Sequence, residues 1–235
     1  MESLVNSLSY QGIIHADRVV KIMKLIDRAK YVPPGLPSYE DRPMPIGDGQ
    51  TISAPHMHGQ ALELLHEFLR PGANALDIGC GSGYLTACMG SLVSPNGRVI
   101  GIENRQSLVD LATNNIQKAN PELLENGTVF IAKGDGWTGE GFLTSPGPRE
   151  NVFDAIHVGA AAESMPETLI KALKSPGRMV IPLGPQWSSQ SFVVVDKARD
   201  GTITQRELMS VMYVPLERES PHQPPTGLSP RSRGL

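Results

Sequence analysis

Cysteine is scarce in this chain of 235 residues: Cys80 and Cys88 are the only two. They stand eight residues apart across a glycine turn and the helix expected after it. No disulfide is expected between them, and a reducing, cytoplasmic setting fits best. Excess positive charge is also missing. Lys and Arg number 21 against 24 Asp and Glu, for a net charge of −3, so no basic surface points to nucleic acid and no polybasic run to a membrane. No apolar run approaches the length of a membrane span. The start, Met1-Glu2-Ser3, lacks the basic and apolar regions of a signal peptide. Metal-ligand clusters are missing too. His56 and His58 form a His-x-His, but no carboxylate or cysteine lies at ligand spacing beside them, so no metal is expected.

What the chain has is one glycine-rich turn in a telling place. Ala75 to Ile78 reads as a short buried strand, Gly79, Gly81 and Gly83 alternate after it, and Tyr84 to Met89 opens a helix. Strand, glycine turn and helix make the start of a nucleotide-binding α/β unit. A dinucleotide fold wants Gly-x-Gly-x-x-Gly, whereas here the third glycine arrives one residue early and Asp77 sits just upstream. A carboxylate there repels a pyrophosphate and suits a cation, which favours an S-adenosylmethionine sulfonium over NAD. The bland reading is an ordinary βα turn with Asp77 as a helix cap.

The length suits one domain with a substantial core. Residues 3 to 30 read as helical, with an apolar stripe at Val19, Val20, Ile22, Met23 and Ile26, and with Asp27-Arg28 as a closing surface or capping pair. Prolines at 33, 34, 37, 43 and 45 make Tyr31 to Gly49 a loop, a lid or a structural wrap. A helix is expected over Gln60 to Leu69, stopped by Arg70-Pro71-Gly72.

Strands and helices then alternate: strands at Asn74–Ile78, Arg98–Glu103, Thr128–Ala132, Asn151–Val158 and Arg178–Leu183, helices at Ser82–Val93, Arg105–Asn120 and Ser164–Leu173. Ser175-Pro176-Gly177 reads as a turn, and Ser191–Asp196 with Ile203–Val214 as a closing hairpin. This order predicts a mainly parallel sheet with an antiparallel edge. The tail beyond Glu217, rich in Pro, Ser, Gly and Arg, reads as disordered.

Ligands in such a sheet sit at the carboxyl ends of the strands. Three acids fall there: Asp77, Glu103 and Asp135. Glu103 lies 20 residues past Gly83, where an acid takes ribose hydroxyls. Asp135 suits an adenine amino group, or Gly134-Asp135-Gly136 is only a tight turn. His157, mid-strand in an apolar run, reads as a satisfied core histidine.

The chain resembles the protein-L-isoaspartate (D-aspartate) O-methyltransferase family, and its eukaryotic members most. The resemblance runs from about Leu8 to Leu216. It is carried by Thr51-Ile52-Ser53-Ala54-Pro55-His56-Met57, the Leu76–Gly83 loop, Gly134-Asp135-Gly136, Asp154-Ala155-Ile156-His157-Val158-Gly159-Ala160-Ala161 and Tyr213-Val214-Pro215-Leu216. It implies a Rossmann-like class I S-adenosylmethionine-dependent methyltransferase fold. The seven-stranded sheet ends in an antiparallel hairpin, and helices precede it. Residues 1–217 would form one domain, with helices and the proline-rich loop in 1–72, the Rossmann-like core in 73–217, and a tail at 218–235.

The implied activity is transfer of a methyl group from S-adenosylmethionine to the free α-carboxylate of L-isoaspartyl, and less well D-aspartyl, residues in damaged proteins. The ester collapses to a succinimide that reopens partly to normal aspartate. The implied protein is monomeric. By family position Ser53 stands beside the reacting carboxylate, unless it serves as a turn or helix cap. The substrate would also meet Ile52, His56 and Val214. The cofactor would meet Ala54, Pro55, His56 and Met57, the loop residues Asp77, Gly79, Gly81, Ser82 and Gly83, and then Glu103, Asn104, Asp135 and Gly136. Small residues at Gly159-Ala160-Ala161 would leave room for both reactants.

Two positions depart from the family pattern. Lys174-Ser175-Pro176-Gly177-Arg178 replaces its usual Pro-Gly-Gly, away from the methyl group. Glu217 stands where the family usually has Thr, so a carboxylate there either weakens cofactor binding or points to solvent. The alternatives are a catalytically weak adaptor of the same fold, which a short featureless tail disfavours, and an NAD-dependent oxidoreductase.

Overall fold

The structure, a computed structural model, describes residues 1–143, 150–186 and 188–218. The N-terminal region holds α1 (Glu2–Tyr10), α2 (Asp17–Leu25) and a 3-10 turn at Arg28–Lys30, not one continuous helix over 3 to 30. The break is at Gly12, whose φ of +73° closes α1 while the Ile13 amide reaches back to the Leu8 carbonyl. The Glu63 carboxylate then takes the amides of His15 and Ala16 at 3.0 and 3.1 Å, which fixes the entry to α2. Asp27 caps the 3-10 turn by accepting from the Ala29 amide at 3.0 Å, but Arg28 is fully buried and not on the surface.

The proline-rich segment is not all loop. It contains β1 (Met44–Gly47), paired antiparallel with β2 (Gln50–Ile52) in a two-stranded ribbon of its own. Prolines exclude a central strand but not such an edge. The next helix, α3 (Pro55–Leu65), starts five residues earlier than expected. Pro55 occupies its first turn, where a missing N–H costs nothing, and Ala54 is the N-cap with no side-chain cap.

The core follows as β3 (Asn74–Ile78), α4 (Tyr84–Val93), β4 (Arg98–Glu103), α5 (Gln106–Ala119), the unexpected short α6 (Glu122–Glu125) and β5 (Val129–Lys133). It continues through β6 (Phe153–Val158), α7 (Glu167–Ala172), β7 (Leu173–Leu183), β8 (Gln190–Lys197) and β9 (Ile203–Val211). The Ser175-Pro176-Gly177 turn proves to be a bulge inside β7: Phe153 pairs with Leu173 but Ala155 pairs with Arg178. β9 ends at Val211 and not at Val214. The tail expected from residue 218 lies outside the described residues except for Arg218, whose guanidinium sits 4.1 Å from the Trp137 ring centre.

The seven-stranded sheet runs β5-β4-β3-β6-β7-β8-β9, parallel from β5 to β7, with β8 antiparallel to both its neighbours. One apolar layer, with Val5, Met23, Leu62, Met89 and Ile116, joins the N-terminal helices, α4 and α5 to one face. A second, with Ile156, Leu169, Met179 and Val195, covers the other face with α7. The chain leaves β3 for β4 and β5 on one side and returns to β6 on the other. That reversal opens a crevice at the carboxyl ends of β3 and β6.

Candidate active site

The crevice is built from strand ends and the backbone between them. Gly79, Gly81 and Gly83 all take positive φ, between +53° and +82°, so the chain folds over the end of β3 in a shape that L side chains rarely adopt. Both the Gly79 and Cys80 amides donate to the Ile102 carbonyl at 2.8 and 3.1 Å, tying the loop to β4. Around it lies a cleft of about 570 Å³ lined by Gly79, Gly81, Glu103, Asn104, Asp135 and Gly136, with Gly159, Ala160 and the Val214–Glu217 segment opposite.

Glu103 is buried, with Oε2 accepting from the Gly81 amide at 3.2 Å and Oε1 from the Asn104 amide at 2.9 Å. Burial raises its pKa, while those two amides and that of Arg105 pull it back. Asp135 is buried at the end of β5, and its Oδ1 accepts from the Trp137 amide at 2.6 Å and the Thr138 amide at 3.3 Å. It is therefore a turn-forming residue as well as a wall of the cleft.

Asp77 turns beneath the loop. Its Oδ2 accepts from the Thr86 hydroxyl at 2.5 Å, and its Oδ1 lies 2.7 Å from His157 Nδ1. His157 is thus a satisfied core histidine. Asp77, His157, His58, Ser82 and Ser53 line a small polar recess of about 330 Å³ behind the loop. His58 is buried against Arg28, at 3.3 Å, and burial with that cation holds its pKa well below the usual histidine range. Gly83 lines none of these spaces. It is the N-cap of α4, packed so closely on α5 that a Cβ would meet Ile116 at 3.1 Å.

A wider groove of about 1300 Å³ opens beside the cleft. Ser53, Ala54, His56 and Met57 line it from the start of α3, and Met209 to Val214 line it from the end of β9. Ala54, His56 and Met57 therefore face the groove and not the strand-end cleft, and Pro55 is buried in the helix start. His56 Nδ1 pairs with Asp41 at 2.9 Å, and Asp41 also takes the His56 amide at 2.9 Å. Ile52 is buried at the end of β2 and lines the recess. Thr51 and Gly159 border the cleft, the groove and the recess alike. A Cβ on Gly159 would meet the Gly79 carbonyl oxygen at 2.8 Å, so two loops touch there backbone to backbone.

Some residues of this constellation were not expected from the sequence. Tyr213 is one: burial pushes its pKa up to about 12 against the pull of the Ser53 hydroxyl, and its amide donates to the buried Gln190 at 2.9 Å. Glu217 is another. It neither intrudes on the cleft as a lone charge nor points free to solvent, because Arg105 Nη2 donates to both its oxygens at 2.9 Å and Arg105 also donates to the Asp48 carbonyl. β1–β2, the start of α5 and the C-terminal segment are thereby tied across the cleft mouth. Among the described residues no group of three His, Cys, Asp or Glu is placed to hold a metal ion, and no helix is long and apolar enough to cross a membrane. Both cysteines are buried free thiols, and burial pushes Cys88 up to about 12.

Sheet order, glycine turn and strand-end acids define an S-adenosylmethionine-dependent methyltransferase. The solved structure of a Plasmodium falciparum protein-L-isoaspartate O-methyltransferase, in complex with S-adenosyl-L-homocysteine, superposes with a TM-score of 0.83 at 36% identity, over 92% of this chain and 97% of that one. The description protein-L-isoaspartate(D-aspartate) O-methyltransferase matches residues 1–220, and the chain belongs to that family. A wheat protein-L-isoaspartate O-methyltransferase is 46% identical over 93% of this chain and 91% of its own length. The Caenorhabditis elegans protein of that name is 42% identical over 91% and 90%.

Proposed function

We propose that the strand-end cleft holds S-adenosylmethionine, that the groove presents an isoaspartyl carboxylate, and that the two meet at Thr51 and Gly159 with Ser53 orienting the acceptor oxygen. The carrying observation is that these two residues are walls of both spaces at once. When bound, S-adenosylmethionine supplies a methyl group already activated on a sulfonium.

The chain's own residues then have little bond chemistry to do. The acceptor carboxylate, with a reference pKa of about 3.5 to 4, is ionised at neutral pH and needs no general base. Holding two reactants in line supplies roughly 7–11 kcal/mol of a barrier. Ser53, beside the Tyr213 hydroxyl, donates to one carboxylate oxygen and turns the other towards the cleft. Glu103, buried but with lone pairs left beyond its two amide bonds, accepts from ribose hydroxyls. Asp135 and Gly136 with Asn104 close the adenine end. The bare glycine loop allows close approach, with Ser82 behind it and Asp77 holding it from below through Thr86. Val214 and Ile52 back the acceptor. The product is a methyl ester that collapses to a succinimide, so the reaction is repair of damaged aspartyl sites.

The same proposal takes the acting unit to be one domain of residues 1–217, monomeric and cytoplasmic, acting on damaged protein chains without metal, nucleic acid or membrane. The net charge of −3 and the buried free thiols support it. The test is methyl transfer from labelled S-adenosylmethionine to an isoaspartyl peptide and to its normal aspartyl twin. Label is expected on the first alone, and Ser53→Ala should lower kcat/KM by about thirtyfold, the loss of one hydrogen bond to a charged group. Cofactor affinity should stay within about twofold on the same reasoning. A Ser53→Ala enzyme with normal turnover and collapsed cofactor affinity would make Ser53 a structural residue.

A further inference from the structure

The groove has a second part that transfer of a methyl group does not require. Beyond Ser53 it is walled by Met57 from the first turn of α3, by Met209, Val211 and Met212 from the end of β9, and by Pro43 from the hairpin approach. Three of the nine methionines in the chain face this one space. Met212 is 82% exposed and Met209 39% exposed, unusual for side chains with nothing polar to offer. The ionisable side chains on the groove wall are His56, already paired with Asp41, and Tyr213, which burial beside Ser53 keeps un-ionised.

The sheet is bent to put these side chains there. Phe192 pairs with Met209 but Val193 pairs with Glu207, so Leu208 is an extra residue in β9. In such a bulge two successive side chains fall on the same face. Leu208 packs into the apolar layer that holds Phe192, and Met209 falls beside it, towards α3. Regular alternation would have sent Met209 to the opposite face, with Glu207. The groove is continuous with the acceptor position through Ser53 and Gly159.

We infer that Met57, Met209 and Met212, with Pro43 and Val211, form a subsite for an apolar side chain adjacent to the isoaspartyl residue of the substrate. The inference rests on the reading of the groove as the acceptor site. Methionine has three rotatable bonds and a polarisable sulfur, so such a wall re-packs around side chains of different shape. An enzyme that meets its target residue in many sequences gains affinity from apolar neighbours without demanding one of them. Being open, the groove gives less than full burial of a leucine, and a preference of about tenfold is the scale to expect.

The test uses the full chain and short peptides with one isoaspartyl residue, flanked on one side and then on the other by leucine, serine or glutamate. At one flanking position KM is expected to be about tenfold lower for leucine than for serine, with glutamate no better than serine. In Met209→Ser/Met212→Ser that ratio is expected to fall below about threefold, and Met212→Ser alone, at an exposed position, should lower it part of the way. Equilibrium binding of the same peptides to the enzyme saturated with S-adenosylhomocysteine reads the ratio without turnover. A groove that fails and a transfer that fails are thereby told apart. Equal values for leucine and serine at both positions, or a ratio that survives the double substitution, would overturn the subsite.

Discussion

The strand-end cleft and the methionine groove share Thr51, Gly159 and Val214 and are otherwise built from different material. The cleft is made of main chain and carboxylates: a loop in positive φ, the strand-end acids Glu103 and Asp135, and amides that fix Glu103 from behind. The groove is made of flexible apolar side chains on a helix start and a bulged strand end. A ligand that never varies suits a rigid polar mould, because every hydrogen bond can be placed once. A ligand whose neighbours vary suits a wall that re-packs. One site carries both, and Thr51, Gly159 and Val214 are the boundary between them.

That boundary is the place to break the comparison with the largest effect. Gly159→Val puts a Cβ 2.8 Å from the Gly79 carbonyl oxygen, and neither backbone can yield as a side chain would. Overpacking of this kind forces backbone shifts, and a misplacement of about 1 Å where the reactants meet is enough to lower methyl transfer about a hundredfold. S-adenosylhomocysteine affinity and peptide KM should worsen together, by titration calorimetry and steady-state kinetics. If only one of them moves, the two spaces do not share this wall.

The same contrast explains what could be read from the residues alone. The cleft was legible because its parts are tied to strand ends by chain geometry: Glu103 and Asp135 follow short apolar runs, and β4 falls at Arg98–Glu103 as the pattern says. Of the groove, Ser53, Ala54, His56, Met57 and Val214 were named from the resemblance, but its methionine wall was not, because Met209 and Met212 come from segments without period. Met209 faces it only through the Leu208 bulge, which no alternation rule foretells. Tyr213 lies past the end of β9, and Pro43 just precedes a hairpin hidden among prolines. The early start of α3 was missed because Ala54, the residue before the first helical position, has no capping side chain to mark it, while Pro55 is itself the first helical residue. The break between α1 and α2 turned on Gly12 and on Glu63, a partner 47 residues from Ala16. The direction of Asp77, down to Thr86 and His157 and not into the cleft, is likewise a matter of side-chain packing.

Glu103→Gln should sharpen the comparison at an intermediate scale. Without its charge the side chain accepts ribose hydroxyls more weakly, and S-adenosylhomocysteine affinity should fall about tenfold, near 1.4 kcal/mol. Peptide KM at saturating cofactor should stay put, since Glu103 lines the cleft and not the groove. Stability should move the other way. Burial raises the folded-state pKa of Glu103, so its contribution is fully present below the unfolded carboxylate pKa and lost as pH rises through the folded value. The ligand-free wild-type protein should therefore lose melting temperature as pH rises from about 4.5 through the raised folded-state value, in a way the Gln variant does not. A variant that is less stable than wild type at neutral pH would show that the amide bonds outweigh the burial of the charge.

The smallest expected effect tests whether the cleft is as rigid as its main chain suggests. Glu217 and Arg105 form a two-point ion pair across the mouth, and Arg105 reaches on to the Asp48 carbonyl of the β1–β2 hairpin. Glu217 is 42% exposed and Arg105 33% exposed, so solvent screens the pair and about 0.2–1 kcal/mol is all it can hold. If the clasp keeps the hairpin over a bound cofactor, Glu217→Ala should raise the dissociation rate of S-adenosylhomocysteine by about two- to fivefold. Wild-type dissociation should quicken with added salt as screening grows, and the variant should lose that dependence. Glu217→Thr should behave like the alanine variant if the ion pair is what matters. Were it to release cofactor more slowly than wild type, a hydroxyl contact inside the cleft would count for more than the clasp across its mouth.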